Sequence, residues 1–228
     1  MRIADAAQLY VGLEHGFYAS EGLRIEIQEF QKGSQVLDAL ASRSGESVDI
    51  GFPNLVALLA SRARGSNMVT FAGGPVEDAS RPTHGLLVSR NSSVVRPKDL
   101  AGKKIAVNAL KNVEDLMLTR HLRQVSVDPS SATVVEIAFP QMPAALKTGQ
   151  VDAACDIEPY LTAALREGAS RLLAHHYGIV AKRIAIATYS SIEDKVNSRR
   201  DEFASSIVPL RWPLTTSQVI HRRRCRSF

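Results

Sequence analysis

A chain of 228 residues with 45% hydrophobic and 22% charged residues has the composition of an ordinary globular protein, long enough to bury a core as one large domain or two lobes. The net charge of +5 is modest and comes in part from the last eight residues, 221–228, so nucleic-acid binding has little support. No apolar run approaches the roughly 18 residues a membrane span needs, and Cys155 and Cys225 form neither a disulfide framework nor a metal-ligand spacing.

In chain order, residues 6–18 carry apolar side chains at helical spacing (Ala6, Leu9, Tyr10, Leu13, Phe17) and stop at Gly22. Residues 23–30 alternate apolar and polar and predict a half-buried strand. Residues 34–42 read as helix and 48–52 as strand, with Pro53 opening a helix that runs to about Arg64. A strand over 68–72 breaks at Gly73-Gly74-Pro75, residues 75–83 are loop, and 84–89 are strand again. After a turn at 97–102 come strand 104–107, helix 112–124 capped by Asn112, strand 133–137 and helix 140–147. Strand 151–155, helix 159–167 and strand 170–174 follow; 184–188 is strand, and Ser190 opens a long helix toward Arg211. Strand-helix alternation of this kind predicts an α/β fold with parallel sheets.

Two stretches echo each other. Ala39-Leu40, Gly45 and Val48-Asp49-Ile50-Gly51-Phe52-Pro53 are matched by Ala145-Leu146, Gly149, Val151-Asp152-Ala153-Ala154 and Pro159. Each copy reads as the end of a helix, a Gly stop, a short strand opened by Val-Asp, and a new helix started by Pro. Their separation far exceeds the ~20–50 residue period of a solenoid. The repeat therefore predicts two similar lobes, and a cleft between lobes is where small molecules bind.

An ordered series of motifs carries a resemblance. Asp5-Ala6-Ala7-Gln8-Leu9-Tyr10, Glu14-His15-Gly16-Phe17-Tyr18 and Glu21-Gly22-Leu23 come first, then Val48-Asp49-Ile50-Gly51 and Asp99-Leu100-Ala101-Gly102-Lys103-Lys104-Ile105-Ala106-Val107. Ala144-Ala145-Leu146-Lys147, Gly149-Gln150-Val151-Asp152-Ala153 and Glu158-Pro159 close it. Over roughly residues 4–207 the chain resembles the nitrate/sulfonate/taurine/thiamine-precursor class of substrate-binding proteins of ABC transporters. The resemblance implies a type II periplasmic-binding-protein fold: two lobes, each a mostly parallel sheet flanked by helices, closing by a hinge on a small ligand held between them. It implies a lobe over 1–85 to which 183–212 returns, a second lobe over 86–182, and an irregular basic tail over 213–228. It also implies a monomer outside the cytoplasm that hands its ligand to an ABC permease and ATPase, touches membrane only through the permease, and needs no cofactor or metal. The resembling proteins begin with a strand before the first helix and continue beyond the last one, so the chain reads as truncated at both ends.

Ligands of open α/β sheets sit outside the carboxyl ends of strands, against the N-termini of the next helices, whose free N–H groups and partial positive charge suit anions. Those junctions nominate Asp5 and Gln8; Asn54; Gly73 and Gly74, where bare backbone could approach a ligand; Asn108, Asn112 and Glu114; Gln141; and Asp156 with Glu158. Plainer roles compete. Pro53 and Pro159 serve as helix starters, Asn54 as a cap, Asp49 and Asp152 as stabilisers of the strand start, and Asp156 and Glu158 as acids favoured at a helix N-terminus. If Glu158 faces the cleft it would recognise an amine or ring N–H, which leaves the ligand's charge open between an anion and a heteroaromatic solute. Cys155 reads as buried packing. A nucleophilic thiolate would need a neighbouring base, and His175-His176, adjacent on a strand, would point to opposite faces. A desulfinase-like hydrolase using Cys155 and a non-functional fragment remain as alternatives.

Overall fold

The computed structural model describes residues 2–42 and 47–207. Gly45 of the first repeat, the far end of the expected long helix and the basic tail lie outside the described residues. The chain opens with a 3-10 turn at Ala4–Ala6, then α1 (Ala7–Glu14) and α2 (Phe17–Ser20). The single helix expected over 6–18 is thus two, because Gly16 lies between them at φ 68°, a left-handed conformation open to glycine. Next come α3 (Gly33–Ala41), α4 (Leu55–Ala63), β1 (Met68–Gly73), β2 (Val76–Asp78), β3 (His84–Ser89), β4 (Lys104–Val107) and α5 (Val113–Gln124). They are followed by β5 (Thr133–Glu136), α6 (Met142–Lys147), β6 (Ala153–Ile157), α7 (Tyr160–Arg166), β7 (Ser170–Ala174), β8 (Arg183–Ala185), β9 (Thr188–Ile192) and α8 (Glu193–Ser198).

The fold is α/β with two lobes. The larger sheet has the order β5-β4-β6-β3-β7. β4 runs parallel to β5 and β6, while β3 runs antiparallel to both β6 and β7. Four strands therefore point one way and β3 alone opposes them. β3 follows β2 through a short loop rather than over a helix, so nothing forces it to be parallel. Its alternation divides the core. Leu86 and Val88 join Ile105, Val107, Leu118, Leu122 and Cys155 beneath α5, while Leu87 joins Ala106, Met142, Leu146 and Leu161 beneath α6 and α7.

The other lobe packs α3 and α4 through Leu37, Leu40 and Leu58 onto Met68 of β1. Its strands form two antiparallel pairs, β1 with β9 and β2 with β8, so the chain returns after β7 to lie beside segments it left more than 100 residues earlier. Thr70, Thr188 and Ser190 bond to one another across the β1–β9 pair at 3.0–3.3 Å, which satisfies hydroxyls that would otherwise be buried bare.

Several expectations are corrected. Residues 23–30 belong to no sheet: among the described residues no strand edge runs beside them, and Leu23 and Ile25 instead pack against Tyr18 and Tyr189. Residues 48–52 keep only one bridge, Gly51 to Ser190. The loop expected over 75–83 contains β2. Pro53 lies before the α4 cap rather than inside the helix, and Asn54 is the cap, accepting from Ala57 N at 2.9 Å. The strand expected over 151–155 is displaced by two residues to Ala153–Ile157. The run 184–188 splits into β8 and β9 because it changes sheets there: Ile186 N donates to Pro75 O and Thr188 N to Pro53 O. Ser190 consequently lies in β9, and the helix after it begins at Glu193.

Candidate functional site

A cleft of about 830 Å³ opens between the two lobes. One wall is aromatic and comes from the lobe that holds β1 and β9: Tyr18, Phe52, Phe71, Tyr189 and Phe203. Phe52 and Tyr189 pack with ring centroids 4.9 Å apart, and Phe71 meets Phe203 edge-on at the same distance. The Tyr189 hydroxyl is buried with no partner among the described residues. Facing this wall is a polar floor of Asp5, His84, Asn108, Asn112 and Glu114.

Each floor residue is placed by local structure. Asp5 stands in the 3-10 turn before α1, whose first residues are fixed by Ala4 N donating to Glu158 O at 2.9 Å. His84 is the first residue of β3, where the chain crosses from β2 into the larger sheet. Asn112 caps α5, accepting from Asp115 N at 3.0 Å, and its amide donates to Asn108 Oδ1 at 2.8 Å. Glu114 falls in the first turn of that helix, where its charge complements the helix dipole.

The floor's electrostatics centre on His84. Its Nδ1 lies 3.1 Å from Glu77 Oε2, and its Nε2 lies 3.8 Å from Asp5 and 3.9 Å from Glu114. Burial opposes the imidazolium, but the hydrogen bond to Glu77 and the Glu114 and Asp5 charges outweigh it and raise His84 to about 9. Burial also pushes Glu77 up, yet its bonds to His84 and Thr83 prevail and hold it below the usual carboxylate range. Asp5 is raised to about 6, chiefly by burial and against the pull of His84. The floor thus sets three carboxylates around one imidazolium.

Behind Glu114 the loop after β7 contributes two more groups. His176 Nε2 bonds Glu114 Oε1, and Tyr177 donates its hydroxyl to Glu114 Oε2 at 3.1 Å. His175 and His176 do diverge, His175 Nδ1 donating to His84 O at 2.8 Å. The expectation that Cys155 lacks a nearby base is nevertheless corrected: one ligand atom each from Glu114, Cys155 and His176 lie within 4.8 Å of one another, all three side chains buried. Burial first, then Glu114, pushes the Cys155 thiol well up, so it is not a thiolate in this setting.

Five of the nominated residues divide from the rest by position. Asp5, Asn54, Asn108, Asn112 and Glu114 line the cleft together. Gln8 does not, because Ala6, Leu9 and Tyr10 form the helix face turned to the cleft and Gln8 projects from the opposite side. Gln141 is exposed at the start of α6. Gly73 is exposed at the end of β1, and Gly74 answers a packing need: a Cβ there would sit 2.4 Å from Ala187 O. Asp156 is fully buried within β6, not at a strand end; Oδ1 accepts from Ile157 N, Oδ2 has no partner, and burial raises it to about 7. Glu158 holds the start of α7 through Thr162 N at 3.1 Å and Thr162 Oγ1 at 2.6 Å, outside the cleft. His84 and Tyr189 escaped the sequence reading, and His176 entered it only as a base judged to point away from Cys155. A lone His opening an apolar strand after Pro82-Thr83 is the one signal that marked the first of them.

The family model NMT1/THI5 like matches residues 3–198. An Escherichia coli (strain K12) protein named for binding aliphatic sulfonates is 31% identical over 150 residues, 66% of this chain and 45% of its own. The chain spans about half the length of the curated relatives it matches, 45% and 49%. Among solved structures, the alkanesulfonate-binding protein of Xanthomonas axonopodis pv. citri bound to MOPS is 22% identical, with a TM-score of 0.77 over 97% of this chain and 73% of that one. The periplasmic nitrate-binding protein of Synechocystis PCC 6803 is 17% identical, with a TM-score of 0.74 over 91% of this chain and 58% of its own. At these identities the structural likeness establishes the two-lobe binding-protein fold.

Proposed function

The chain belongs to the NMT1/THI5-like family, and from that premise we propose that it is the solute-binding part of an ABC-type importer, taking up a small solute between its lobes outside the cytoplasm. The described residues up to 85, joined by 183–207, would make one lobe and 86–182 the other; the pairing of β1 with β9 and β2 with β8 supports that division. The partners are an ABC permease and ATPase, and the working unit is a monomer.

One observation carries the choice of solute: the cleft floor is acidic and, among the described residues, each cation lining the cleft already has a carboxylate partner. Arg24 bonds Glu26 at 2.6 Å, Lys32 bonds Glu136, Arg199 bonds Asp49 at 2.7 Å and Glu202 at 2.6 Å, and His84 bonds Glu77. A bare sulfonate or nitrate would have to displace one of these partners and face Asp5 and Glu114. A planar heteroaromatic solute bearing amine or ring N–H groups fits better. Its ring stacks in the Tyr18, Phe52 and Tyr189 wall, its N–H groups meet the carboxylates, and the Tyr189 hydroxyl gains a partner. The named relatives bind sulfonates or nitrate; the acidic floor supports a different solute class here.

A hydrolase built on Cys155 has less support. The thiol is fully buried, and burial first and then the Glu114 charge push it well above the ordinary cysteine value, opposing a nucleophilic thiolate even with His176 close by. Titration calorimetry with an aminopyrimidine and with an alkanesulfonate tests the reading. The expected result is saturable one-to-one binding of the aminopyrimidine that Asp5→Asn weakens at least about tenfold, about 1.4 kcal/mol. Binding of the sulfonate alone, or conversion of any bound compound, would overturn it.

A further inference from the structure

We infer that Glu114, Cys155 and His176 form a site for a single thiophilic divalent ion of the zinc type, seated under the cleft floor and reached through it. Three kinds of donor converge from three elements: a carboxylate from the first turn of α5, a thiol from the middle of β6, and an imidazole from the loop after β7. Their ligand atoms lie within 4.8 Å of one another. In a tetrahedral zinc site with bonds of about 2.0–2.3 Å, ligand atoms stand roughly 3.5 Å apart. Small side-chain adjustments therefore bring the trio to bonding distance. The ion takes the place of the proton between His176 Nε2 and Glu114 Oε1 and displaces the Cys155 thiol proton, both protons leaving to solvent, while Glu114 Oε2 stays with Tyr177.

A second observation points the same way. His121, 1% exposed, stands edge-on to His176 with ring centroids 6.3 Å apart. Among the described residues, neither of its ring nitrogens has a partner at ordinary hydrogen-bond geometry, and neither has His176 Nδ1. Three buried imidazole nitrogens without partners among the described residues are costly. A water or bound solute in the coordination position that the three residues leave open would give one His121 ring nitrogen a partner. The donor set also selects the ion. Sulfur with nitrogen and one carboxylate oxygen suits zinc and its neighbours, whereas magnesium and calcium demand oxygen shells. Access comes from Glu114, which lines the cleft.

Cobalt(II) is the probe, added alone to chelator-treated full-length protein and followed by absorbance. One equivalent should produce a thiolate-to-cobalt charge-transfer band in the near ultraviolet, and zinc should bleach it. Cys155→Ser should abolish the band, and His176→Gln should weaken cobalt binding at least about tenfold. Cys225→Ser should leave both unchanged. The wild-type band and a one-zinc mass increment by native mass spectrometry need no variant, so they decide the matter even if a substitution prevents folding. No thiolate band at one equivalent, or a band lost in Cys225→Ser rather than Cys155→Ser, would overturn the site. Solute binding measured in excess chelator separates this inference from the proposed function.

Discussion

Lys32 and Glu136 form an ion pair across the mouth of the cleft, joining residues 104 apart in sequence. Lys32 is the residue before α3, and Glu136 ends β5 at the edge of the five-stranded sheet. Glu136 is held by a second donor as well, Leu110 N at 2.8 Å. The contact ties the loop before α3 to the end of β5, so Glu136→Gln should loosen the hold of one lobe on the other. Both side chains are more than a third exposed, at 38% and 35%, so the expected loss is about 0.2–1 kcal/mol, a roughly 1.4- to fivefold faster solute release. Stopped-flow release kinetics would register it; an unchanged rate would remove the contact from the closing motion.

The same pair has a pH signature. The Lys32 hydrogen bond first, then the Leu110 amide, holds Glu136 below its ordinary value. A depressed carboxylate contributes fully above the unfolded glutamate value of about 4.3 and loses that contribution as pH falls through the lower, folded one. Solute release should therefore accelerate in the acid range below about pH 4.3 in the wild type, and this component should be absent in Glu136→Gln. Equal acid acceleration in both proteins would contradict the assignment.

Tyr189→Phe separates binding from stability. The hydroxyl is buried without a partner, so deleting it should leave the unfolding midpoint unchanged or raised. Solute affinity should fall about tenfold if the hydroxyl meets the solute. Denaturation and calorimetry on the same preparation check both halves.

Asn112→Ala should cost about 0.5–2 kcal/mol of stability, because it uncaps α5 and releases the Asn108 side chain. Gly74→Ala should cost about 1–3 kcal/mol, since the added Cβ meets the Ala187 carbonyl backbone, which has little room to move. Urea unfolding of each variant measures these losses; a neutral Gly74→Ala would mean that β1 and β9 shift apart freely.

Much of the architecture was legible because period and punctuation report local structure. The α5 helix and its Asn112 cap, β1, β3, β4 and β7 all follow from alternation, helical spacing and helix-end residues in the sequence. What failed were features decided by distant partners. Residues 23–30 alternate like a strand, but alternation specifies a buried face and not a pairing edge. Ser190 reads as a helix opener until Thr70, 120 residues away, offers its hydroxyl across a sheet. The floor was half legible for the same reason. Asp5, Asn112 and Glu114 sit at helix starts, where sequence points. His84 and His176 reach the site through strand order and a loop path that no local pattern encodes. Gln8 stands on the helix face opposite Ala6, Leu9 and Tyr10, which line the cleft.

The most direct test of the central claim is thermal unfolding of the purified chain against pyrimidines, aromatic carboxylates, alkanesulfonates and nitrate. At about 100 times its dissociation constant, a true solute adds about 2.7 kcal/mol, enough to raise the midpoint of a protein of this size by several degrees. The account predicts a selective rise with an amine-bearing pyrimidine, lost in Asp5→Asn. A cooperative transition that no compound shifts, or one that alkanesulfonates alone shift with Asp5→Asn indifferent, would contradict it.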